Sequence, residues 1–143
     1  MVSMCKKTAG TNQVPQISPE NAFHEDTAQR LAEIFGKSVC QITVFDSECE
    51  LYPLPERVEF HIIELDNTVL LCEFDLWLNH EHVYEFNRQC VWYEKYHPEC
   101  VIRKIMIAPQ IDEHSKSVAT FLGIELHKQP EDVYRYKGNI ETL

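Results

Sequence analysis

Two strand-like segments joined by a short turn, and followed directly by a long helix-like segment, constrain the fold of this chain more than any other feature. Residues 58–65 alternate side chains between two faces, Asp66-Asn67 supplies turn chemistry, and residues 68–76 resume the strand pattern. Asn79 is a good helix cap, and an apolar stripe at helical spacing continues from it to His97, where a proline ends it. The pattern predicts a β-hairpin that leads into a helix.

The remaining segments extend this unit in both directions. A helix and a strand are predicted before the hairpin, and a strand, a helix and a short strand after the long helix; in chain order they are residues 21–35, 39–45, 103–108, 112–123 and 124–127. The predicted order is α-β-β-β-α-β-α-β. Because a meander that feeds a β-α-β unit has both antiparallel and parallel neighbours, we expect an α/β fold with a central mixed sheet flanked by helices.

Length and composition fit one folded domain. The chain has 143 residues, of which 44% are hydrophobic and 25% are charged, as in ordinary globular proteins. Residues 1–20 are polar and contain a glycine and two prolines, which predicts a flexible N-terminal arm. The domain is predicted over residues 21–127, and residues 128–143, which show no clear period, are predicted to form a C-terminal tail.

The net charge and the cysteines indicate which partners and which cellular compartment to expect. A formal net charge of −10 argues against a general nucleic-acid coat, since non-specific binding comes mainly from Lys and Arg on phosphates. The six cysteines follow no secretory signal and include no Cys-x-x-Cys spacing. No apolar run is long enough to span a bilayer. We therefore expect a cytoplasmic protein with free thiols and no membrane contact.

Four polar residues of the hairpin are candidates for chemistry. Glu73 and Asp75 are two apart on one strand and project from one face, and Glu59 and His61 share a face on the other strand. If those faces coincide, the four side chains converge near one end of the sheet. Two explanations stay open: solvated acids on an exposed edge, or a carboxylate and imidazole site for Mg²⁺ or Mn²⁺.

A resemblance adds to this interpretation. The run from Val58 to Ile63 and the run from Val69 to Asp75 resemble the PD-(D/E)XK nuclease superfamily. The similarity continues in order through several short motifs: Val83 to Arg88, Tyr93-Glu94-Lys95, Ala108-Pro109, Asp112, and Leu122-Gly123-Ile124-Glu125. It covers roughly residues 21–127 and implies a restriction-endonuclease-like core.

The same resemblance implies a degenerate catalytic motif. The metal-binding Asp of the family falls on His61, its Glu on Glu73 and its Lys on Asp75. The family uses two acids to hold Mg²⁺, and the lysine stabilises the negative charge of the transition state. An aspartate in the lysine position reverses a contact worth about 4 kcal/mol at 4 Å and an effective dielectric near 20. Gln89 and Tyr93 resemble the Gln-x-x-x-Tyr of some nuclease subfamilies, although a surface position explains Gln89 equally well and a core position explains Tyr93 better.

Two functional hypotheses follow. The first is a PD-(D/E)XK-like domain with an inactive site that acts as a binding or assembly module, including as a homodimer that covers the edge of its sheet. The second is a divalent-metal-dependent phosphodiesterase that acts on DNA or RNA through His61, Glu73 and Asp75. Trp77 and Trp92 are candidates for base stacking in the second hypothesis, and helical spacing favours core packing instead.

Overall fold

The computed structural model describes residues 3–7 and 17–133, and side chains within residues 17–133. Three helices, eight strands and one 3₁₀ turn are present in these residues. The helices are α1 (Pro19–Phe35), α2 (His80–Lys95) and α3 (Glu113–Leu122), and the turn is Pro130–Asp132. The strands are β1 (Ser3–Lys7), β2 (Cys40–Asp46), β3 (Glu56–Glu64), β4 (Thr68–Phe74), β5 (Trp77–Leu78), β6 (Val101–Ile107), β7 (Gln110–Ile111) and β8 (Ile124–His127).

Six of the strands form one mixed sheet in the order β1-β2-β3-β4-β6-β8. The pairs β1–β2, β2–β3 and β3–β4 are antiparallel. The pairs β4–β6 and β6–β8 are parallel, because α2 and α3 provide the crossovers between these strands. β5 and β7 form a separate two-stranded parallel pair. The predicted α/β class and the mixed sheet flanked by helices are confirmed.

The helices cover the two faces of the sheet unequally. The α1 face carries Leu31 and Phe35 of α1 against Ile63, Leu70 and other side chains of the central strands. The α2 face carries the apolar stripe of α2 together with one side of α3, and it includes alternate residues of β2, β3 and β4. Successive strand residues point to opposite faces, so each hairpin residue belongs to one of these two cores.

Local signals explain where the helices begin and end. The Asn79 side chain accepts a hydrogen bond from the backbone N–H of His82 at 3.0 Å, which caps α2 as predicted. Asp112 caps α3 in the same way through the N–H of Ser115 at 2.7 Å. Gly36 and Gly123 end α1 and α3 with φ of 67° and 74°, which favours glycine.

The N-terminal segment differs from the prediction. Ser3–Lys7, inside the predicted flexible arm, is an edge strand that pairs with β2 from Ser3 opposite Val44 to Lys7 opposite Cys40. Its sequence lacks an alternating pattern, and the ladder along β2 determines its structure instead. The predicted C-terminal tail begins with the 3₁₀ turn and Val133, which is buried in the core of the α1 face. Residues 134–143 of that tail lie outside the described residues.

The prediction of free thiols is wrong for Cys40, which is disulfide-bonded. Cys49, Cys72, Cys90 and Cys100 are free. Among the described residues, none of the helices combines the length and the hydropathy needed to cross a membrane.

Candidate functional site

Glu73 alternates with Val69 and Leu71 in β4 and so lies on the α2 face, and Asp75 follows directly after the end of that strand. The Asp75 backbone N–H donates to the carbonyl of Ile107 at 3.0 Å. Burial raises the pKa of the Glu73 carboxyl well above its usual range, and Asp75 raises it further by its charge and by hydrogen bonding to Glu73. Oδ2 of Asp75 is buried and has no hydrogen-bond partner within the described part of the chain. The Glu73 carboxyl therefore keeps its proton to a higher pH than an ordinary glutamate does.

Helix α2 adds a third acid and a polar network to the pair. The charge of Glu85, in the second turn of the helix, also raises the pKa of Glu73. Tyr52 donates its hydroxyl proton to Glu85, and Gln89 Nε2 donates to the Tyr52 oxygen at 2.9 Å. Arg88 Nη1 donates to the second oxygen of Glu85 at 2.9 Å. The centre is therefore acidic, with its one ion-paired carboxylate facing the loop that carries Tyr52.

Asp46 holds that loop in place. Its side chain is 1% exposed at the end of β2. Its two carboxyl oxygens accept hydrogen bonds from the backbone N–H groups of Glu50, Leu51 and Tyr52 at 2.8, 2.9 and 3.3 Å. Three donors that would otherwise lack partners are thus satisfied by one buried side chain. Because Tyr52 follows directly, Asp46 fixes the position of the hydroxyl that contacts Glu85.

His61 lies on the opposite face from the acid pair. In the β3–β4 ladder it pairs with Cys72, so its side chain shares the α1 face with Cys72 and Phe74. Its ring centroid is 4.7 Å from that of Phe74 and 5.9 Å from that of His24 in α1. The prediction that His61 joins Glu73 and Asp75 is therefore wrong.

Glu59 is exposed and shares the α1 face with His61, because the two are two residues apart on β3. The predicted convergence of four polar groups therefore does not occur. The β3 residue between them, Phe60, points to the α2 face and is fully buried there.

The environment of His61 makes a pH-dependent prediction. Burial, and then the charge of His24, lower the pKa of His61 from 6.5 to about 4. The unfolded chain therefore binds a proton at this position at a higher pH than the folded chain does. The contribution of the neutral His61 to the free energy of unfolding is fully present above pH 6.5. It is lost as the pH falls towards 4, by about 1–2 kcal/mol once partial exposure is allowed for.

This loss is measurable by urea denaturation at pH 7 and pH 4.5. We expect His61→Gln to lose less stability than the parent protein between these two values, since glutamine does not titrate. His114→Gln, at an exposed histidine of α3, is the matched control and should keep the parent behaviour. Equal losses in the parent and in His61→Gln would contradict the assignment.

The two residues of the Gln-x-x-x-Tyr motif have different surroundings. Gln89 belongs to the Tyr52–Glu85 network. Tyr93 is a core residue, packed edge to face on Phe60 at 5.4 Å and stacked on His97 at 4.0 Å between centroids. Of the two tryptophans, Trp92 is buried and Trp77 is 60% exposed. Gln89 alone therefore contacts the network around the acid centre.

A lysine of β6 points to the same face as the acid pair but is occupied elsewhere. Lys104 pairs with Leu71 in the parallel ladder and so shares its face. Its Nζ donates to Asn87 Oδ1 and to the carbonyl of Leu122, both at 2.9 Å. These contacts tie α2 to the end of α3. Lys104 thus has a structural role, because it connects two helices by hydrogen bonds.

Sequence reasoning missed Tyr52, Glu85 and Asp46. Glu85 lies within the motif from Val83 to Arg88, and its spacing of four from Gln89 places both residues on one side of a helix. That spacing could have identified Glu85 as a partner of Gln89. Nothing in the sequence connects Tyr52 or Asp46 to α2, because their contacts run through a loop between β2 and β3.

Comparison with known proteins gives one match. Residues 56–125 match the family model described as the PD-(D/E)XK nuclease superfamily. This region runs from β3 to β8 and includes Glu73, Asp75, Glu85 and Gln89. No curated protein and no solved structure matches the chain.

Proposed function

Because residues 56–125 match the model of the PD-(D/E)XK nuclease superfamily, we propose that this chain is a nuclease-fold binding or assembly module whose catalytic centre is degenerate. The observation that carries the proposal is Asp75. By the resemblance it falls on the position of the motif lysine, and after burial it is the largest contribution that raises the pKa of Glu73. A cation in the family pattern is thereby replaced by a second carboxyl group.

The physical argument concerns the charge that develops in the reaction. Phosphodiester cleavage adds negative charge to the phosphate, and a positive group beside it lowers the barrier. A carboxylate at that place raises the barrier, and each 1.4 kcal/mol costs about a factor of ten in rate. The other expected metal ligand, His61, lies across the sheet. The set of two acids and one lysine on one face is therefore incomplete.

The divalent ion that the superfamily implies fits these residues as a two-carboxylate site. Glu73 and Asp75 would hold it, and the unpartnered Oδ2 of Asp75 is a free oxygen ligand of the kind that Mg²⁺ or Mn²⁺ accepts along with several waters. Within residues 17–133, no three His, Cys, Asp or Glu side chains are arranged as metal ligands. A bound ion would polarise a phosphate and lower the pKa of water. This fit supports the alternative, a metal-dependent phosphodiesterase that acts on DNA or RNA.

The charge distribution favours a protein partner over a nucleic acid. The chain carries a net charge of −10, and two basic residues of α2, Arg88 and Lys95, are paired with Glu85 and Glu50. These two cations are therefore less available to phosphates. A homodimer that covers the edge strand β8 is one form of such a module, and we place it in the cytoplasm.

A cleavage assay tests the proposal. Supercoiled DNA, single-stranded DNA and RNA are each incubated with the pure protein in Mg²⁺ or Mn²⁺, beside Glu73→Ala and Glu59→Ala. Glu59 is the matched control because it is an exposed acid on the opposite face. We expect no cleavage by any of the three proteins. Cleavage that persists in Glu59→Ala and disappears in Glu73→Ala would overturn the inactive assignment and establish the alternative.

A thermal measurement tests the metal site separately. An ion that binds only the folded chain raises the melting temperature, because it adds about 2.7 kcal/mol at a hundred times its dissociation constant. The alternative function requires such a rise with Mn²⁺, lost in Glu73→Ala and kept in Glu59→Ala. The degenerate centre predicts the same melting temperature with and without the ion.

A further inference from the structure

A cavity of about 520 Å³ lies between the sheet and the last turn of α2. Its floor is apolar and comes from the α2 face of the sheet, with Ile42, Ile62 and Val69. Val69 stands four residues before Glu73 on β4, roughly 13 Å away along an extended strand. The cavity is therefore separate from the acid pair, and an inference about it does not depend on the proposed function.

The wall of the cavity is aromatic. Tyr93 and Tyr96 line it from α2 and its end, together with His97. The Tyr93 ring is stacked on His97 with an interplanar angle of 10°, which holds it rigidly in place. Tyr96 is 40% exposed, donates its hydroxyl proton to Glu50 and has Lys95 Nζ 5.4 Å from its ring centroid. The volume is that of a small-molecule site, with an apolar floor and a partly polar wall and rim.

The rim of the cavity is negative. Glu64, the last residue of β3, and Glu99, in the loop before β6, both line it. Burial, and then charges that include those of Glu64 and Glu99, raise the pKa of Tyr93 to about 12. The electrostatic effect of the two carboxylates therefore reaches the tyrosine inside the cavity. Neither lysine nor arginine lines this cavity among the described residues. Glu99 accepts a hydrogen bond from the Cys100 thiol at 3.6 Å. A cavity with an apolar floor, an aromatic wall and two carboxylates at its mouth complements an organic cation.

We propose that this cavity binds a small organic cation, with an ammonium group at Glu64 and Glu99 and an apolar body against the tyrosines and the sheet. The carboxylates supply charge-assisted hydrogen bonds, and a cation beside a tyrosine ring gains a further electrostatic attraction. A neutral ligand of the same shape would fill the same floor but leave the rim unpaired. An anion would meet two like charges and is excluded.

Three probes that share a 2-phenylethyl body separate these cases by isothermal titration calorimetry: 2-phenylethylammonium, 2-phenylethanol and 3-phenylpropanoate. We expect the ammonium to bind at least about tenfold more tightly than the alcohol, a difference of about 1.4 kcal/mol, and the carboxylate not to bind. Backbone amide shifts should change at Val69 and Tyr93 and stay constant at Glu73.

The double variant Glu64→Gln, Glu99→Gln tests the rim, and Glu33→Gln, at an exposed acid of α1, is its matched control. The preference for the ammonium should fall below about threefold in the double variant and persist in the control. Equal binding of ammonium and alcohol by the parent protein, no binding of the ammonium, or a preference unchanged in the double variant would each overturn the proposal. Shifts confined to another surface would do the same.

Discussion

Replacing Asp46 with alanine is expected to lower the free energy of unfolding by about 3 kcal/mol. The substitution leaves the backbone N–H groups of Glu50, Leu51 and Tyr52 without their acceptor at a position that is 1% exposed. An unsatisfied buried donor costs about 1–3 kcal/mol, and because these three donors belong to exposed or half-buried residues, water recovers part of the sum. Urea denaturation at pH 7 measures the loss.

Asp46→Asn serves as the graded control for this prediction. It keeps one oxygen acceptor and replaces the other with a donor, so we expect a smaller loss than for alanine. Amide hydrogen exchange at residues 50–52 should quicken in both variants, and more in Asp46→Ala. A free energy for Asp46→Ala within about 0.5 kcal/mol of the parent value would show that water replaces the carboxyl group.

Replacing Glu73 with glutamine is expected to stabilise the protein progressively as the pH rises. Burial, Asp75 and Glu85 raise the pKa of Glu73 above its ordinary value of 4.5. The folded chain therefore keeps a proton that the unfolded chain releases, and the parent protein loses stability as the pH rises through the raised value. Glutamine carries no charge at any pH. The variant should exceed the parent by roughly 1–3 kcal/mol at the alkaline end, the cost of an uncompensated buried charge.

Melting temperatures from pH 5 to pH 9 provide the measurement. The difference between Glu73→Gln and the parent should widen with pH. Glu59→Gln, on the opposite face and exposed, should follow the parent throughout. If the parent and Glu73→Gln have parallel profiles, Glu73 is solvated and its pKa is not raised by the fold.

The sequence predicts which residues of one strand share a face but not how two strands are aligned. The strand period of two predicts Glu73 and Asp75 on one face, and in the structure Asp75 is near enough to raise the pKa of Glu73, although it follows the end of β4. The position of His61 depends on the β3–β4 register, in which His61 is opposite Cys72. A shift of one residue moves a whole strand to the other face. The sequence pattern of the turn does not determine that alignment, so the grouping of His61 with the acids was wrong.

Long-range contacts explain the other differences. The order of the central elements and the caps at Asn79 and Asp112 depend on local signals, and these were predictable. Tyr52 reaches Glu85 across 33 positions of the chain, and β1 is defined by its partner strand. Such contacts depend on tertiary packing, which a pattern within one segment does not encode.

The separation of His61 and Glu73 by the sheet has a consequence for the whole protein. Below pH 6.5, protonation of His61 in the unfolded chain lowers the free energy of unfolding as the pH falls. Above pH 4.5, ionisation of Glu73 in the unfolded chain lowers it as the pH rises. Between these values the two slopes oppose each other and give a plateau. Because the groups share no partner, their effects should add in a double variant. The two faces of the sheet thus titrate independently, and the free energy of unfolding has its maximum in mildly acidic solution.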